Sequence, residues 1–311
     1  MAWFEISVST QADTIGQVAA ALTAGGFADL VMEDQAEFES FLEENRAYWD
    51  YIDEALQEKL QGLSCIKLYL EDTDAAGLAR LRDLVAGLQL EMTVTALPDT
   101  DWEESWKDNY PPQIVGQRLV VLPYWLADTD LDGRLPVILD PGLTFGTGAH
   151  PSTQMVLEAM EQTVKPGFAC LDLGSGSGIL SIAALRLGAK TAVGVDIDSK
   201  AEDIARENAA YNGFAAPEFT ALTGNVTADT KLMNRLRQDA YDLVLVNIVA
   251  DVIIGLSPVL PNFLGENSTL ICSGILESRL TEVVAALEGA GLTITQLQAK
   301  EDWRCVCARR K

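Results

Sequence analysis

Short apolar stretches separated by polar turns recur along the chain, and their spacing predicts two kinds of domain. In the first third, patterns of period 2 and period 3.6 follow one another in the order strand, helix, strand, strand, helix, strand. That order is the split β-α-β arrangement of ferredoxin-like domains. We therefore predict a small ferredoxin-like α+β domain over residues 1–97, with strands at 3–8, 27–32, 65–70 and 90–96 and helices at 13–24 and 75–88.

Two segments do not follow these patterns. An acidic, aromatic insertion at about 34–62 separates the halves of the first domain, and its second part is predicted to be helical. A solvated, charged face is the simpler interpretation of this insertion, and an acidic flap is the alternative. Residues 98–136 form a predicted connector rich in Pro, Asp and Trp, in which Trp102 and Trp106 stand about one helical turn apart. We interpret this pair as a hydrophobic clamp between domains.

After the connector, strand-like and helix-like stretches alternate to the end of the sequence. Such alternation is typical of βαβ units, in which helices cover both faces of a mostly parallel, doubly wound sheet. The predicted fold class is thus α/β, with a Rossmann-like domain at 137–311. Its predicted strands are 169–173, 191–196, 218–222, 241–247, 269–273, 292–297 and 304–308, and its predicted helices are 179–187, 200–212, 252–260 and 280–289.

The net charge of the chain limits the classes of molecule that we expect it to bind. The chain has 311 residues, of which 46 are Asp or Glu and 22 are Lys or Arg, for a formal net charge of −24. Residues 1–100 hold 19 of those acids and 5 of those bases, a net charge of −14. A surface this acidic repels phosphate backbones and anionic lipid, so we expect no direct binding to nucleic acid and no membrane partner. A basic protein is the partner class that this charge attracts.

The N-terminal segment and the cysteines indicate a cytoplasmic protein. Glu5 interrupts the first apolar stretch, which has no basic leader and so differs from a signal peptide, and no apolar run reaches the length of a membrane span. The five cysteines do not have metal-ligand spacing. Three of them, Cys65, Cys170 and Cys272, lie in strand-like apolar runs, so we interpret these as buried free thiols and expect a reducing compartment. No metal site is predicted.

The strongest candidate chemistry lies where an apolar strand leads into Gly174, Gly176 and Gly178 and then into a helix. Glycines allow a tight turn and close approach of a ligand to the backbone, and a helix N-terminus offers free N–H donors. The next strand ends in Asp196, 22 residues after Gly174, a spacing that suits a carboxylate bound to ribose hydroxyls. Together these features predict a site for an adenosine-containing cofactor.

The loop sequence discriminates between adenosine cofactors. A dinucleotide fingerprint needs a glycine at the sixth position, where this chain has Ile179. Asp172 precedes the loop, and a carboxylate there is unfavourable for a pyrophosphate but suits a ligand with ammonium and sulfonium groups. We therefore expect S-adenosylmethionine rather than NAD, which disfavours an NAD-dependent oxidoreductase.

A later strand, 241–247, ends in Asn247. At the carboxyl edge of the sheet, its amide oxygen is placed to accept a hydrogen bond from an amine awaiting methylation. Asn is also favoured at helix N-caps, and both roles are compatible.

The only histidine, His150, lies in a glycine-rich loop before a helix. It has no evident carboxylate partner, so we interpret it as a hydrogen-bonded structural residue rather than a general base.

Five segments carry a family resemblance: LDPGLTFGTGAHPST, LDLGSGSGILSIAA, GVDIDSKA, LVNIVA and SGIL, in this order. With WEESWK, they resemble the bacterial methyltransferases of large-subunit ribosomal protein eleven over about residues 98–311. The resemblance implies a class I, seven-stranded methyltransferase fold behind a small substrate-recognition domain. It also implies S-adenosylmethionine-dependent methylation of lysine side-chain and α-amino nitrogens of that ribosomal protein. Transferred by position, it places cofactor contacts at Thr153, Gly174, Asp196 and Asn247, and we add Phe145, Asp172 and Gly176 as further cofactor-binding candidates.

The sequence departs from the family pattern at Ser152 and Ser175, which stand where Thr and Cys are common and which remain small and polar. Methyl transfer depends mainly on positioning, so no side-chain nucleophile is assigned. The alternatives are a methyltransferase that acts on another protein or on a nucleic-acid base amine, and a non-enzymatic adaptor. Residues 248–250, Ile-Val-Ala, offer no aromatic ring to stack on an extruded base, and an adaptor leaves the cofactor loop unexplained.

Overall fold

A computed structural model describes residues 3–11, 13–27, 30–34, 64–97, 107, 110–129, 131–141, 148–238 and 241–311. Nearly all of the acidic insertion, the Trp102 and Trp106 pair, and Phe145 lie outside these residues, so the predictions made for them stay predictions. The chain divides into two compact units, Met1–Asn109 and Tyr110–Lys311. The second unit thus begins inside the predicted connector.

The first unit has the predicted β-α-β-β-α-β order. Its elements are β1 (Trp3–Ser9), α1 (Ile15–Ala24), β2 (Val31–Asp34), β3 (Ser64–Glu71), α2 (Ala75–Gly87) and β4 (Met92–Leu97). The sheet order is β2-β3-β1-β4 with antiparallel neighbours, as in ferredoxin-like domains. Its core joins both helices to the central strands through side chains such as Val18, Leu22, Ile66 and Leu81. The second strand begins later than predicted, because Phe27 follows a turn at Gly26 (φ +91°) and packs into this core.

The connector prediction requires a correction after residue 110. Three strands, β5 (Gln113–Val115), β6 (Leu119–Pro123) and β7 (Leu135–Leu139), form a separate sheet in which β6 is fully buried. The carboxylate of Glu161 accepts the N–H groups of residues 117, 118 and 119 at 2.8–2.9 Å and so holds the turn between β5 and β6. Short strands and a polar turn give this segment the sequence pattern of a linker, although it forms a sheet.

The rest of the second unit alternates helices and strands as predicted. In chain order the elements are α3 (Pro151–Thr163), β8 (Ala169–Leu173), α4 (Ile179–Arg186), β9 (Thr191–Asp196), α5 (Ser199–Tyr211), β10 (Phe219–Thr223), α6 (Thr230–Leu236), β11 (Tyr241–Asn247), α7 (Ala250–Leu256), β12 (Leu264–Leu276), α8 (Leu280–Gly289), β13 (Leu292–Lys300) and β14 (Trp303–Arg310). Helix α7 ends earlier than predicted, before Pro258, which cannot donate to the helical ladder. None of the described helices is long and apolar enough to cross a membrane.

The main sheet has seven strands in the order β10-β9-β8-β11-β12-β14-β13. The first five strands in this order, β10 to β12, are parallel to one another, whereas β14 is antiparallel to both β12 and β13. Two buried apolar clusters pack on the sheet, one with α3, α4 and α5 and one with α6, α7 and α8. The chain leaves β8 and β11 toward opposite faces, so a crevice opens at the carboxyl ends of these two strands, where doubly wound sheets bind ligands.

Candidate active site

The glycine loop joins β8 to α4 and has a backbone conformation that suits glycine. Gly174, Gly176 and Gly178 have φ values of +78°, +49° and +79°. The N–H of Gly174 donates to the carbonyl of Val195 at 2.8 Å, which attaches the loop to the end of β9. A Cβ atom on Gly178 would lie 3.1 Å from the Cβ of Ala205 in α5. The three glycines therefore let the backbone pass tightly between β9 and α5.

Asp196 ends β9, and its carboxylate contacts the glycine loop. Oδ2 accepts the N–H of Gly176 at 2.8 Å, and Oδ1 accepts the N–H of Asp198 at 3.0 Å. These hydrogen bonds orient the carboxylate, and each oxygen keeps a second acceptor position. The structure thus brings together two residues singled out from the sequence, in a geometry suited to a pair of ribose hydroxyls.

Asn247 ends β11 and contacts Thr153 in the first turn of α3, 94 residues away in the sequence. Its Nδ2 donates to Thr153 Oγ1 at 3.1 Å. Thr153 is 3% exposed, whereas Asn247 is only partly buried. Because the amide nitrogen is engaged by Thr153, the amide oxygen is directed away from that hydroxyl. This oxygen is therefore available as an acceptor at the carboxyl edge of the sheet.

The interpretation of Asn247 as a helix N-cap is wrong. Helix α7 begins at Ala250, and its N-cap position is Val249, which makes no side-chain capping hydrogen bond. Asn247 precedes the cap by two residues, and its amide group binds Thr153 instead. The polar side chain at this strand end is therefore available to the crevice.

Gly274, in the irregular part of β12, was assigned no role from the sequence. It has φ +83°, and a Cβ atom there would lie 2.5 Å from the carbonyl oxygen of Ile248. Beside it, the N–H of Ile248 donates to the carbonyl of Ser273 at 3.1 Å. Gly274 thus lets β12 approach the backbone just after Asn247. A glycine directly after the predicted strand 269–273 was the available signal.

Asp172 lies in β8, two residues before the glycine loop, and is 1% exposed. Its Oδ2 accepts hydrogen bonds from the N–H of Ser181 at 3.2 Å and from the Oγ of Ser181 at 2.9 Å. No described residue forms a hydrogen bond with its Oδ1. Burial raises the pKa of Asp172 to about 7, and the hydrogen bonds from Ser181 act in the opposite direction. A buried acceptor without a donor is unfavourable, and a donor or cation on a ligand is the kind of group that satisfies it.

Asp172 and Asn247 lie on the same face of the sheet. Strands β8 and β11 are parallel, and Asp172 stands opposite Leu245, two residues before Asn247. Side chains two residues apart along a strand project to the same face. Near the carboxyl ends of these strands, one face of the sheet therefore carries the buried carboxyl group of Asp172 and the amide of Asn247, which contacts the Thr153 hydroxyl.

His150 caps the N-terminus of α3. Its Nδ1 accepts the N–H of Ser152 at 3.2 Å and lies 2.7 Å from Ser152 Oγ, and its ring packs edge-on against Trp303 with 4.6 Å between the ring centroids. Burial lowers the pKa of His150. These contacts agree with a structural role, in which the neutral ring fixes the start of the helix that carries Thr153.

Asn208 of α5 and Asn212, which directly follows this helix, were not singled out from the sequence and hold segments around the glycine loop. The Nδ2 of Asn208 donates to the carbonyl of Ser177 at 2.9 Å, and its Oδ1 accepts the N–H of Asp140 at 2.8 Å. One turn later, Asn212 accepts the N–H of Ile138 at 3.0 Å and donates to the carbonyl of that residue at 2.6 Å. Both asparagines are buried. Their spacing of four on a helix was the only local signal.

The site offers three acceptors of different character. Asp196 presents a carboxylate suited to hydroxyl groups, Asp172 a buried carboxyl oxygen suited to a cation, and Asn247 a neutral amide oxygen suited to an amine. In the part of the chain that the structure describes, no group of three or more His, Cys, Asp or Glu side chains is placed to hold a metal ion. The arrangement therefore fits a positively charged adenosine cofactor and a neutral nucleophilic amine.

Known proteins provide an independent comparison. Residues 2–311 match the family described as ribosomal protein L11 methyltransferase (PrmA). Ribosomal protein L11 methyltransferases from Heliobacterium modesticaldum and Alkaliphilus metalliredigens are each 34% identical to this chain, over all of it and 98% of their own length. A crystal structure of a ribosomal protein L11 methylase from Lactobacillus delbrueckii subsp. bulgaricus aligns with a TM-score of 0.58 at 30% identity, over 65% of this chain and 100% of that one. The chain therefore belongs to the ribosomal protein L11 methyltransferase family.

Proposed function

We propose that this protein transfers methyl groups from S-adenosylmethionine to lysine side-chain and α-amino nitrogens of ribosomal protein L11. The observation that carries the proposal is the pairing of Asn247 with Thr153 at the end of β11, because it leaves a neutral acceptor oxygen beside the glycine loop. The end-to-end match with the L11 methyltransferase family supports both the reaction and the substrate.

The residues of the crevice fit S-adenosylmethionine, which when bound supplies a methyl group already activated on a sulfonium centre. Asp196 would accept the ribose hydroxyls, and Asp172 Oδ1 would face a positively charged group. The backbone of Gly174 and Gly176 allows close approach of the ligand, and Thr153 adds a hydroxyl at the start of α3. Phe145 remains a predicted contact from the sequence.

Positioning supplies most of the catalysis in this proposal. Methyl transfer to an amine is an in-line displacement, in which the nitrogen lone pair must point at the methyl carbon. The Oδ1 of Asn247 accepts an N–H of the incoming amine and so limits the directions of its lone pair. Thr153 holds the amide in the required orientation through the Asn247 Nδ2 donor. No side-chain nucleophile takes part.

The amine must be neutral to react, although an unperturbed lysine has a pKa of about 10.4. A carboxylate at the acceptor position would stabilise the ammonium form and raise this pKa further. Asn247 is uncharged, so it binds the amine without that stabilisation. This difference gives a physical reason for an amide, rather than an acid, at the end of β11.

Charge supports a basic protein as the substrate rather than a nucleic acid. With a net charge of −24, the chain attracts cationic surfaces and repels phosphate backbones. We assign recognition of L11 to the first unit, because the first hundred residues carry a net charge of −14 and no cofactor-type motif. The five cysteines are free and buried, as expected of a protein of the reducing cytoplasm.

A labelling experiment tests the proposal. The protein is incubated with S-adenosylmethionine carrying a labelled methyl group and a mixture of unmethylated ribosomal proteins and ribosomal RNA, and labelled species are identified by mass spectrometry. We expect label on L11 amines, which should accumulate much more slowly with Asn247→Ala and at the wild-type rate with Asp203→Ala, a change to an exposed side chain of α5. Label on RNA or on another protein, or no transfer at all, contradicts the proposed function.

A further inference from the structure

The second unit buries the carboxyl group of Asp172 beside the glycine loop with hydrogen bonds to only one of its two oxygens. Ser181 of α4 engages Oδ2 through its N–H at 3.2 Å and its Oγ at 2.9 Å. Within the described part of the chain, no donor reaches Oδ1, and the residue is 1% exposed. An ionised carboxylate here has lost its water and is compensated on one side only.

A neutral carboxyl group fits this environment better than an ionised one. With the proton on Oδ2, the carboxyl O–H donates to Ser181 Oγ, while Oδ2 still accepts the N–H of Ser181. Oδ1 is then an uncharged carbonyl oxygen, whose missing hydrogen bond costs less than that of a charged oxygen. In agreement with this geometry, burial raises the pKa of Asp172 to about 7.

We infer that Asp172 holds a proton in the cofactor-free protein and releases it to solvent when a positively charged group of the cofactor binds beside Oδ1. The inference rests on the proposed function in one respect, that the ligand is S-adenosylmethionine with its sulfonium and ammonium groups. A cation beside Oδ1 compensates this oxygen and favours the ionised carboxylate. Ser181 is a positioning residue, which accepts the acid hydrogen in one state and donates to the carboxylate in the other.

Two other titratable groups of the described chain interact with Asp172. The negative charge of Asp196, at the end of β9, raises the pKa of Asp172 and so favours the proton-bound form. Cys170 lies two residues earlier in β8, and burial raises its pKa to about 12, so it stays a thiol near neutral pH. Of the two titratable groups of β8, Asp172 is the one expected to exchange a proton near neutral pH when the ligand binds.

Calorimetric titration with S-adenosylmethionine in two buffers of different ionisation enthalpy counts the protons released per ligand bound. Relative to Asp172→Asn, the wild type should release close to one additional proton at a pH of about 6 and close to none at a pH of about 8.5. Asp172→Asn lacks the acid and should not show this release. Subtracting its proton count from that of the wild type at each pH removes the protons exchanged by the ligand's own amine. Cys170→Ala, on the same strand, should release as many protons as the wild type.

Ser181→Ala provides a second variant that keeps the acid. It removes the hydroxyl that stabilises the ionised form, so proton release should persist to higher pH than in the wild type. This expectation holds whether or not Asp172→Asn folds. Equal binding heats in both buffers at a pH of about 6, or undiminished release in Asp172→Asn, overturn the inference and leave the proposed function intact. If S-adenosylmethionine does not bind to the wild type, this inference and the proposed function are both overturned.

Discussion

Asp196 accepts the backbone N–H groups of Gly176 and Asp198 and keeps an acceptor position on each oxygen. Asp196→Ala should therefore weaken S-adenosylmethionine binding, because ribose hydroxyls lose a charged acceptor worth roughly 1.5–3 kcal/mol, or about 10- to 150-fold in Kd. Calorimetry measures the change. Asp203→Ala, whose side chain is 86% exposed on the next helix, is the matched control and should bind as the wild type does. Unchanged affinity in a folded Asp196 variant would remove this residue from the site.

Asn247 and Thr153 form a hydrogen-bonded pair whose proposed effect is limited to the methyl-transfer step. Asn247→Ala should lower the single-turnover rate of methyl transfer about 10- to 100-fold and change cofactor affinity much less, because the amide oxygen is proposed to act on the amine. Thr153→Val keeps the shape but removes the hydroxyl that orients the amide, so a smaller loss in the same step is expected. Measuring both the transfer rate and the Kd for S-adenosylmethionine separates an effect on methyl transfer from an effect on cofactor binding. A loss of affinity equal to the loss of rate would assign Asn247 to cofactor binding alone.

At the scale of elements, helix α3 depends on the protonation state of its cap. His150 Nδ1 accepts the N–H of Ser152 only in the neutral ring, and burial lowers the pKa of His150. The unfolded chain takes up a proton near a pH of about 6.5, before the folded protein does, so this residue's contribution to stability falls as pH drops below that value.

His150→Asn tests this dependence, because Asn is a good N-cap without a proton to gain. The thermal midpoint of the wild type should fall relative to that of the variant as pH decreases from about 7 to about 5. The contribution of His150 to the free energy of unfolding cannot change by more than about 1.4 kcal/mol per pH unit. Thermal unfolding at several pH values measures it, and a difference between the two proteins that stays constant with pH contradicts the role of the ring.

The contact between β12 and the end of β11 requires a glycine. Gly274→Ala places a Cβ atom 2.5 Å from the carbonyl oxygen of Ile248 on a residue with φ +83°. Strain and overlap together should destabilise the protein by roughly 2–5 kcal/mol and displace Asn247. Gly255→Ala, where nothing lies within 4 Å of the added Cβ in α7, is the control and should be neutral or slightly stabilising. Chemical denaturation compares them, and equal effects of the two substitutions would exclude the close approach as the cause.

At the scale of the whole molecule, each of the two units has its own core. The buried cluster around Ile66 and Leu81 belongs to the first unit, whereas the clusters on the seven-stranded sheet belong to the second. All the candidate cofactor residues also lie in the second unit. The two proposed tasks, recognition of L11 and binding of the cofactor, should therefore be separable.

A truncated protein comprising residues 110–311 should still bind S-adenosylmethionine but lose methylation of intact L11. Methylation of L11 by the full chain should show a KM that rises with salt, because screening weakens attraction between an acidic enzyme and a basic substrate. Cofactor titration and methylation rates over a range of ionic strength measure both effects. Methylation of L11 by the truncated protein at an undiminished rate would falsify the assignment of substrate recognition to the first unit.

The sequence by itself determined the order of the described elements of the first unit, most of the order from β8 onward in the second unit, and the position of the glycine loop, Asp196 and Asn247. These features follow from local rules: apolar periodicity separates strands from helices, and residues that end parallel strands meet at one edge of a sheet. The departure of Ile179 from the dinucleotide pattern was likewise visible without a structure and disfavoured NAD for a local reason.

Only the tertiary structure decided features that depend on residues far apart in the chain. Strands β5 and β6 were missed because their turn is stabilised by Glu161, 44 residues beyond Gln117. Asn247 does not cap α7, whose N-cap is Val249, and its amide instead contacts Thr153, 94 residues earlier in the sequence. The environment of the Asp172 carboxyl group depends on its burial in the folded unit and on its hydrogen bond with Ser181 of α4. Spacing along the chain does not encode such contacts, because they arise when the packing of separate elements removes water and brings donors and acceptors together.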